Sequence, residues 1–195
     1  IDASGFSGKL TMTGSGQADV FTLGSGGSVI DAGAGKDTVT GGSGADRINI
    51  TTATSNDDIT GGAGADTIGF SGDNTTLYAR STGTTDVVNV TDFVAGTDKI
   101  ALVNTTGAFT SVTLATQTIA TAADLTAVWA GLTSVAGSAS GGAASAVLVT
   151  VSAGAAAGTY LYVNDTTAAV NNATDLLVDI TGVTGTLATT DFVFA

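Results

Sequence analysis

One pattern occurs twice in the first third of the chain: Gly41-Gly-Ser-Gly-Ala-Asp46-Arg-Ile48 and Gly61-Gly-Ala-Gly-Ala-Asp66-Thr-Ile68. A third unit, Ala32-Gly-Ala-Gly-Lys-Asp37-Thr-Val39, differs from them at its first position. Aligned on the apolar eighth position, residues 5–49 divide without gaps into units of nine, and two more units follow a two-residue slip. Self-similarity at a fixed short period is the sequence signature of a solenoid.

Each unit joins a glycine-rich loop to three residues of polar, apolar, polar character. Glycine permits the tight turn, and the alternation directs one side chain of a short strand into a narrow core. The eighth-position residues that would fill this core are Met12, Phe21, Ile30, Val39, Ile48, Ile59 and Ile68. Two units complete one coil of a parallel β-solenoid. Residues 18 apart, or 20 apart across the slip, should therefore stack at roughly 4.8 Å.

The sixth position carries acidic side chains, and Asp occupies it in five of seven units: Asp19, Asp37, Asp46, Asp57 and Asp66. Stacking brings these carboxylates together one strand spacing apart. Two unit charges about 5 Å apart repel by roughly 3 kcal/mol at an effective dielectric constant near 20. The columns therefore require a cation. Hard oxygen ligands in flexible loops suit Ca²⁺ better than Mg²⁺, which demands stricter octahedral geometry.

The pattern resembles the RTX nonapeptide repeat GGxGxDxUx, in which two Asp carboxylates and loop carbonyls hold each Ca²⁺ between stacked loops. The resemblance implies that the five sixth-position Asp residues are carboxylate ligands. It implies carbonyl ligands from three loops: Gly33, Ala34 and Gly35; Gly41, Gly42, Ser43 and Gly44; and Gly61, Gly62, Ala63 and Gly64. Ser28 replaces one Asp, Gln17 replaces a loop glycine, and residues 52–56 contain no glycine. These departures weaken the first and the slipped coil, so we expect about two to four ions.

Beyond residue 84 the composition changes. Residues 86–102 have the pattern of strand, tight turn and strand, and Asp92-Phe93, Gly96 and Asp98-Lys-Ile100 resemble the segment that follows the calcium roll in serralysin-like and other RTX tails. The resemblance implies a hairpin that caps the open end of the solenoid, whose exposed edge would otherwise invite aggregation.

The last part of the chain predicts one short helix among strands. Thr121-Ala-Ala-Asp124 is typical of a capping box, and Leu125, Val128, Trp129 and Leu132 follow at helical spacing, with Trp129 in the core. Residues 134–146 are rich in Gly, Ala and Ser, which is typical of a flexible linker. Strands are predicted at residues 147–151, 160–163, 176–180 and 192–194.

The predicted fold class is therefore all-β, in three parts. A parallel β-roll spans residues 1–78, capping strands span residues 79–104, and a β-rich C-terminal secretion and assembly region with one short helix spans residues 105–195. We expect the last region to be a separate β-rich unit rather than further coils.

The composition excludes several classes of function. The chain has 195 residues without His or Cys, which removes Ser-His-Asp and Cys-His nucleophiles, disulfides and ordinary zinc sites. All 17 acidic residues are Asp, and against five basic residues they give a net charge of -12, which argues against a nucleic-acid partner. Asp57-Asp58 is the one pair that suggests paired catalytic carboxylates, and a calcium or solvent role is favoured for it.

The two ends of the chain bear on export. It opens at Ile1 without an initiator Met, a charged segment or a long apolar run, so we expect a C-terminal fragment or processed product with neither an N-terminal signal nor a membrane span. The strings at residues 160–165 and 174–182 and the acidic-then-apolar terminus Asp191-Phe-Val-Phe-Ala195 are similar to the C-terminal regions of RTX proteins exported by type I secretion. This resemblance implies an uncleaved C-terminal signal, the type I machinery as an export partner, and calcium-triggered folding outside the cell.

Three functions remain open. The favoured one is a non-enzymatic structural domain of a secreted, cell-surface protein similar to RTX-type surface-layer proteins. Its partners would be copies of itself and, through a part outside this chain, cell-surface polysaccharide. The second is the folding and export tail of an RTX enzyme such as a metalloprotease or lipase. The third is a calcium-stiffened adhesin or ice-binding solenoid, which regular Thr rows would favour, although Asp31, Asn49 and Gly69 interrupt the row of ninth-position residues.

Overall fold

A computed structural model describes residues 1–51, 56–72, 87–104, 111–132, 143–164 and 175–194. Seven short strands come first: β1 (Thr11–Thr13), β2 (Val20–Thr22), β3 (Val29–Asp31), β4 (Thr38–Thr40), β5 (Arg47–Ile50), β6 (Asp58–Thr60) and β7 (Thr67–Gly72). They are followed by β8 (Val88–Val90), β9 (Lys99–Asn104), β10 (Ser111–Ile119), α1 (Leu125–Gly131), β11 (Ala143–Val151), β12 (Gly158–Asn164), β13 (Leu176–Asp179), one turn of 3₁₀-helix (Thr189–Asp191) and β14 (Phe192–Phe194).

The strands form two sheets, one with the order β1-β3-β5-β7-β9-β14 and one with the order β2-β4-β6-β8-β13-β12-β11-β10. Successive roll strands alternate between the sheets, and neighbours within each sheet are parallel. Phe21 pairs with Val39, 18 residues away, and Val39 pairs with Ile59, 20 residues away. The predicted parallel β-roll, its coil of two units and the register shift at the slip are therefore confirmed.

The eighth-position side chains form the core of the roll. Phe21, Ile30, Val39, Ile48, Ile59 and Ile68 are fully buried, and Met12 in the first coil is partly buried. Burying one such side chain contributes roughly 1.5–3 kcal/mol relative to leaving it in water. The same cluster continues through Ile100 to Phe192, so the narrow core runs from the repeats into the C-terminal strands.

The capping segment differs from the predicted hairpin. β8 lies parallel to β6 in one sheet, and β9 lies parallel to β7 in the other, so the two strands do not pair with each other. The Thr91 N–H donates to the Ile59 carbonyl, and the Lys99 N–H donates to the Asp66 carbonyl, which continues the ladders of the roll. The hairpin pairing was wrong because this segment satisfies its backbone groups on the preceding coil.

The C-terminal region was expected to form a separate β-rich unit rather than further coils of the roll, and this expectation was wrong for two of its strands. β13 pairs in parallel with β8, and β14 pairs in parallel with β9, so both sheets of the roll are extended by the end of the chain. Strands β10 to β13 prolong the eight-stranded sheet, with β10 and β11 parallel and β11, β12 and β13 antiparallel. The predicted division after residue 78 lies outside the described residues, and the division after residue 104 stays a prediction.

Helix α1 covers one face of this extension. Val128, Trp129 and Leu132 are buried as predicted, and the rings of Trp129 and Tyr162 meet edge to face with their centroids 6.0 Å apart. The helix begins at Leu125, and its N-cap is Asp124, whose carboxylate accepts the Ala127 N–H at 2.9 Å. The helix therefore begins three residues later than predicted from Thr121, and it has an N-cap without the predicted capping box, because Ala127 has no polar side chain.

The remaining secondary-structure predictions are tested in part. The predicted strands at residues 147–151, 160–163, 176–180 and 192–194 correspond to β11 to β14. Residues 143–146 belong to β11, so the predicted linker is corrected there, while residues 133–142 lie outside the described residues. Strand β10 was not predicted. Within the described ranges, no helix is long and apolar enough to cross a membrane.

Candidate metal centre

Two columns of loops connect the sheets, one on each side of the roll. The sixth-position residues of one column, here called the first ladder, are Asp19, Asp37 and Asp57. Those of the other column, the second ladder, are Ser28, Asp46, Asp66 and Asp98. All five Asp residues predicted as carboxylate ligands therefore lie in one of the two ladders. The stacking predicted from the 18- and 20-residue spacings is observed.

Every ladder carboxylate except that of Asp19 is tied to the neighbouring coil in the same way. Its Oδ1 atom accepts the backbone N–H of the ladder residue one coil earlier. The donor–acceptor distances are 2.8 Å from Asp19 to Asp37, 2.9 Å from Asp37 to Asp57, 2.7 Å from Ser28 to Asp46, 2.8 Å from Asp46 to Asp66 and 2.9 Å from Asp66 to Asp98. These bonds fix the orientation of each carboxylate while using only one of its two oxygens.

The second carboxylate oxygen is buried without a hydrogen bond in three of these residues. The Oδ2 atoms of Asp37, Asp46 and Asp66 have this property. A Cβ at Gly41 would lie 2.7 Å from the Asp46 Oδ2, and a Cβ at Gly61 would lie 2.6 Å from the Asp66 Oδ2. The Oδ2 atoms of Asp46 and Asp66 therefore point into their own loops, close to the backbone of Gly41 and Gly61. A buried anionic oxygen without a partner is costly, and an ion is one of the explanations for it.

The charges of the ladders are stabilised poorly by the protein itself. Burial raises the pKa values of Asp37 and Asp46. Burial, followed by the neighbouring carboxylates of Asp98, Asp46 and Asp92, raises the pKa of Asp66 to about 6. Without a cation, these three carboxylates resist ionisation in the folded chain. A divalent cation reverses this effect because it favours the charged form of each carboxylate beside it.

The loops stack in close contact, which explains their glycines. Gly42 and Gly62 have φ angles of 110° and 95°, values that favour glycine. A Cβ at Gly62 would lie only 2.0 Å from the Gly42 carbonyl oxygen, and one at Gly42 would lie 2.1 Å from the Gly24 carbonyl oxygen. Any larger residue would push the loops apart and separate the carboxylates of successive coils.

The other residues predicted to supply carbonyls lie in the same stacks. Gly64 packs against Gly44, and Gly33 and Gly35 pack against residues 14–18 of the preceding loop. The N–H groups of Ala34, Ser43 and Ala63 donate to the carbonyls of Ser15, Gly24 and Gly42 respectively. Loops 41–46 and 61–66 match the repeat pattern best and stack directly on each other, so they form the strongest candidate site. Residues 52–55 of the slipped loop lie outside the described residues.

The first coil is one of the two coils for which the sequence predicts weak binding, and it has the least buried carboxylate of the ladders. Asp19 is only half-buried, and its Oδ2 atom already accepts the Ser15 N–H at 2.6 Å and the Ser15 hydroxyl at 2.8 Å. These hydrogen bonds lower the pKa of Asp19. In the second ladder, Ser28 brings no charge, and its hydroxyl donates to the Gly26 carbonyl.

Two residues of the site were missed from the sequence. Asp98 continues the second ladder, with Oδ1 bound to the Asp66 N–H and Oδ2 bound to the Val94 N–H at 2.8 Å. Asp92 accepts the Gly61 and Gly62 N–H groups at 2.9 and 2.7 Å, so it closes the last glycine loop. A signal existed for Asp98, because Asp98-Lys-Ile100 repeats the Asp-x-apolar ending of the nonapeptide units.

Asp57 and Asp58 point to different surroundings. Asp57 belongs to the buried first ladder, whereas the half-exposed Asp58 carboxylate contacts the Lys36 ammonium at 3.4 Å and accepts a hydrogen bond from the Asn89 amide. Successive residues of an extended chain face opposite sides. Asp57 and Asp58 therefore face opposite sides of the strand, and the calcium and solvent roles favoured for this pair stay predictions.

The donor set fits calcium. Among the described residues, no group of three or more His, Cys, Asp or Glu side chains converges on one point. Each site would therefore rest on two carboxylates and on loop carbonyls, which are all hard oxygen donors of the kind Ca²⁺ takes. Bound calcium would supply the positive charge that the ladders lack. The individual ligands and the number of ions stay predictions.

Together, these features place the chain among proteins built on a parallel β-roll, in which stacked glycine-rich loops carry ladders of buried carboxylates. A family model described as "RTX calcium-binding nonapeptide repeat (4 copies)" matches residues 13–48 and 49–77. The chain therefore contains RTX calcium-binding repeats, as the sequence pattern predicted, and such repeats are typical of secreted proteins. A search of curated proteins and a search of solved structures gave no match.

Proposed function

We propose that this chain is a calcium-dependent structural domain of a secreted bacterial surface-layer protein, which folds and self-assembles when it meets calcium outside the cell. The observation that carries the proposal is the set of buried Oδ2 atoms of Asp37, Asp46 and Asp66, which accept no hydrogen bond. These atoms make the roll costly to fold in a cytosol poor in calcium. They become ligands where calcium is abundant.

The coupling between calcium and folding follows from the ladders. The Oδ1 bonds between coils form only when successive loops are stacked, and stacking is what brings the carboxylates together. At a calcium concentration tenfold above the dissociation constant, each site contributes about 1.4 kcal/mol to the folded state. A few sites therefore suffice to decide whether a domain of ordinary marginal stability is folded.

Strand β10 supports the self-assembly part of the proposal. It lies at the end of the eight-stranded sheet, pairs among the described strands with β11 alone, and contains nine residues without a charge. Ser111, Thr113, Ala115, Thr116 and Thr118 are exposed along it. Natural edge strands are usually shortened, charged or bulged to prevent pairing with another chain. A long uncharged edge is a suitable surface for contact between copies in a chain of net charge -12.

The rest of the proposal concerns partners and chemistry. The domain has no catalytic role, its export partner is the type I secretion machinery, and cell-surface polysaccharide is contacted through another part of the protein. The absence of His and Cys from the sequence and the low charged fraction of 11% support a structural role. Calcium-induced neutralisation of the ladders also reduces repulsion between acidic copies.

One observation favours a second candidate, a calcium-stiffened adhesin or ice-binding solenoid. Thr22, Thr40 and Thr60 are register partners on the eight-stranded sheet, and the Thr60 and Thr91 hydroxyls lie 2.9 Å apart, so one Thr row is unbroken. The interruptions at Asp31, Asn49 and Gly69 all lie on the other sheet. The irregularity seen along the sequence is therefore confined to one face of the roll.

The test is a calcium titration of the calcium-free chain, followed by circular dichroism and light scattering, with magnesium as the control ion. We expect calcium alone to induce both folding and growth into large assemblies. The double variant Asp46→Asn/Asp66→Asn should require more calcium for both transitions, and the matched variant Asp58→Asn should behave as wild type. Folding to a monodisperse monomer would refute assembly and favour an export tail. Folding that is indifferent to a chelator would refute the calcium mechanism.

A further inference from the structure

A row of polar side chains crosses the C-terminal sheet far along the chain from the repeats. Ser145 on β11 is the register partner of Asn164 on β12. Val163 pairs with Leu176, and continuing this antiparallel register by one residue places Asp175 opposite Asn164. Directly opposed residues in neighbouring strands point to the same face, with Cβ atoms about 5 Å apart. Ser145, Asn164 and Asp175 therefore lie side by side, and all three are buried.

Asn164 is the anomalous member of this row. It is 1% exposed, and neither its Oδ1 nor its Nδ2 atom has a hydrogen-bond partner. Buried polar groups in native proteins are almost always paired, and an exception requires a reason such as a bound ion. The amide belongs neither to the roll nor to its ladders, so the calcium loops do not explain it.

The groups around Asn164 are oxygen donors. Asp175 is fully buried, and its Oδ2 atom accepts a hydrogen bond from the Tyr162 hydroxyl at 2.7 Å. The Ser145 hydroxyl lies on the other side of the amide in the row. A carboxylate, an amide oxygen and a hydroxyl together form a set of hard ligands, which suits Ca²⁺ and offers nothing to a soft metal.

We propose that Asn164, Asp175 and Ser145 form a calcium site outside the roll, at the end of the sheet where β11 begins and β12 ends. The Asn164 Oδ1 atom and the Asp175 carboxylate are the principal ligands, and the Ser145 hydroxyl is a neutral third ligand. The Tyr162 hydroxyl orients the carboxylate. This site is independent of the proposed function, because it shares no residue with either ladder.

The geometry provides a selective readout. Trp129 is the only tryptophan of the chain, and its ring contacts Tyr162, whose hydroxyl binds Asp175. Terbium occupies calcium sites, and its emission is sensitised only by a nearby aromatic ring. We expect selective excitation of Trp129 to produce terbium emission that added calcium abolishes. Asp46→Asn, in the second ladder, should leave this emission unchanged.

The deciding variant is Asn164→Leu, which has nearly the shape of Asn without its polar atoms. We expect it to lose the sensitised emission and one calcium ion per chain by elemental analysis. Unchanged emission and ion content would overturn the proposal, as would a variant that is more stable than wild type in calcium, because that result identifies Asn164 as an amide without a ligand. Asn164→Asp keeps an oxygen ligand and should retain the emission. Its loss in a folded Asn164→Asp chain would also overturn the proposal. If calcium fails to fold the repeats while the emission persists, the proposed function fails and this site stands.

Discussion

Replacing Asp66 with Asn should make the stability of the chain, relative to wild type, lower in the presence of calcium than in its absence. Asn keeps an Oδ1 atom that can accept the Asp46 N–H, at present 2.8 Å from the carboxylate. It removes the negative charge and replaces the Oδ2 atom, which accepts no hydrogen bond, with an amide nitrogen. The substitution therefore separates the structural role of Asp66 from its role as a ligand.

The magnitudes follow from the environment of the carboxylate. Burial and three neighbouring carboxylates raise its pKa from 3.8 to about 6. That shift corresponds to about 3 kcal/mol of unfavourable energy for the ionised group at neutral pH. The Asn side chain introduces a buried amide nitrogen without a partner. This costs about 1–3 kcal/mol and offsets part of the stability gained by removing the charge. Without calcium, the variant should therefore be more stable than wild type by about 0–2 kcal/mol. Calcium tenfold above the dissociation constant stabilises wild type by about 1.4 kcal/mol for each site that the variant lacks, so the stability of the variant relative to wild type should fall by that amount when calcium is added.

The assay is urea unfolding of both chains, with chelator and with millimolar calcium, and Asp58→Asn is the control. Asp58 lies outside both ladders and forms a partly exposed ion pair with Lys36. Replacing it with Asn should therefore cost less than about 1 kcal/mol in both conditions. The decisive quantity is the fall in the variant's stability, relative to wild type, between chelator and calcium. An Asp66→Asn chain that is destabilised equally with and without calcium would refute the reasoning, because Asp66 would then be only a hydrogen-bond acceptor.

Three further predictions concern the roll and the ion pair beside its last strand, β14. In chelator, the free energy of unfolding should fall as the pH rises from about 4 through 6. The reason is that Asp66, with its pKa of about 6, keeps its proton to a higher pH in the folded state than in the unfolded chain. A free energy of unfolding that rises over this interval would contradict the raised pKa. Gly62→Ala should destabilise the chain by at least about 2 kcal/mol in thermal unfolding, because the φ angle of Gly62 is 95° and a Cβ there would lie 2.0 Å from the Gly42 carbonyl oxygen. The control Gly16→Ala should be neutral, because a Cβ at Gly16 meets open space. Asp191→Ala should destabilise the chain by about 3 kcal/mol in urea, because it leaves the Lys99 ammonium, now 3.2 Å away, without its buried partner; a change below about 1 kcal/mol would show that this contact does not hold the last strand.

The ion pair between Asp191 and Lys99 cannot be predicted from the sequence around either residue. Burial would raise the pKa of this carboxylate, but the N–H groups of Ala188 and Gly96 and the Lys99 ammonium donate to it and lower the pKa overall. Lys99 and Asp191 are 92 residues apart along the chain. Nothing local to either residue predicts such a pair. It exists because β14 adds to the roll beside β9.

The sequence alone determined the parts of this protein that depend on short-range repetition. A period of nine specifies a loop and a strand, and stacking at 18 or 20 residues follows because parallel strands have one spacing and one register that buries the apolar residue. The β-roll, its core and the two Asp ladders could therefore be predicted from the positions of Gly, Asp and Ile. The identity of the ion follows from the chemistry of the donors in the same units.

Only the tertiary structure decided how the chain continues beyond the repeats. β8 and β9 were predicted as a hairpin because a strand, a turn and a strand look alike whether the strands pair with each other or with the preceding coil. The same ambiguity hid Asp98 in the second ladder, β14 beside β9, and the buried row at Asn164. These features depend on contacts between residues far apart in sequence, where the free energy of burial selects among pairings that local pattern leaves equal.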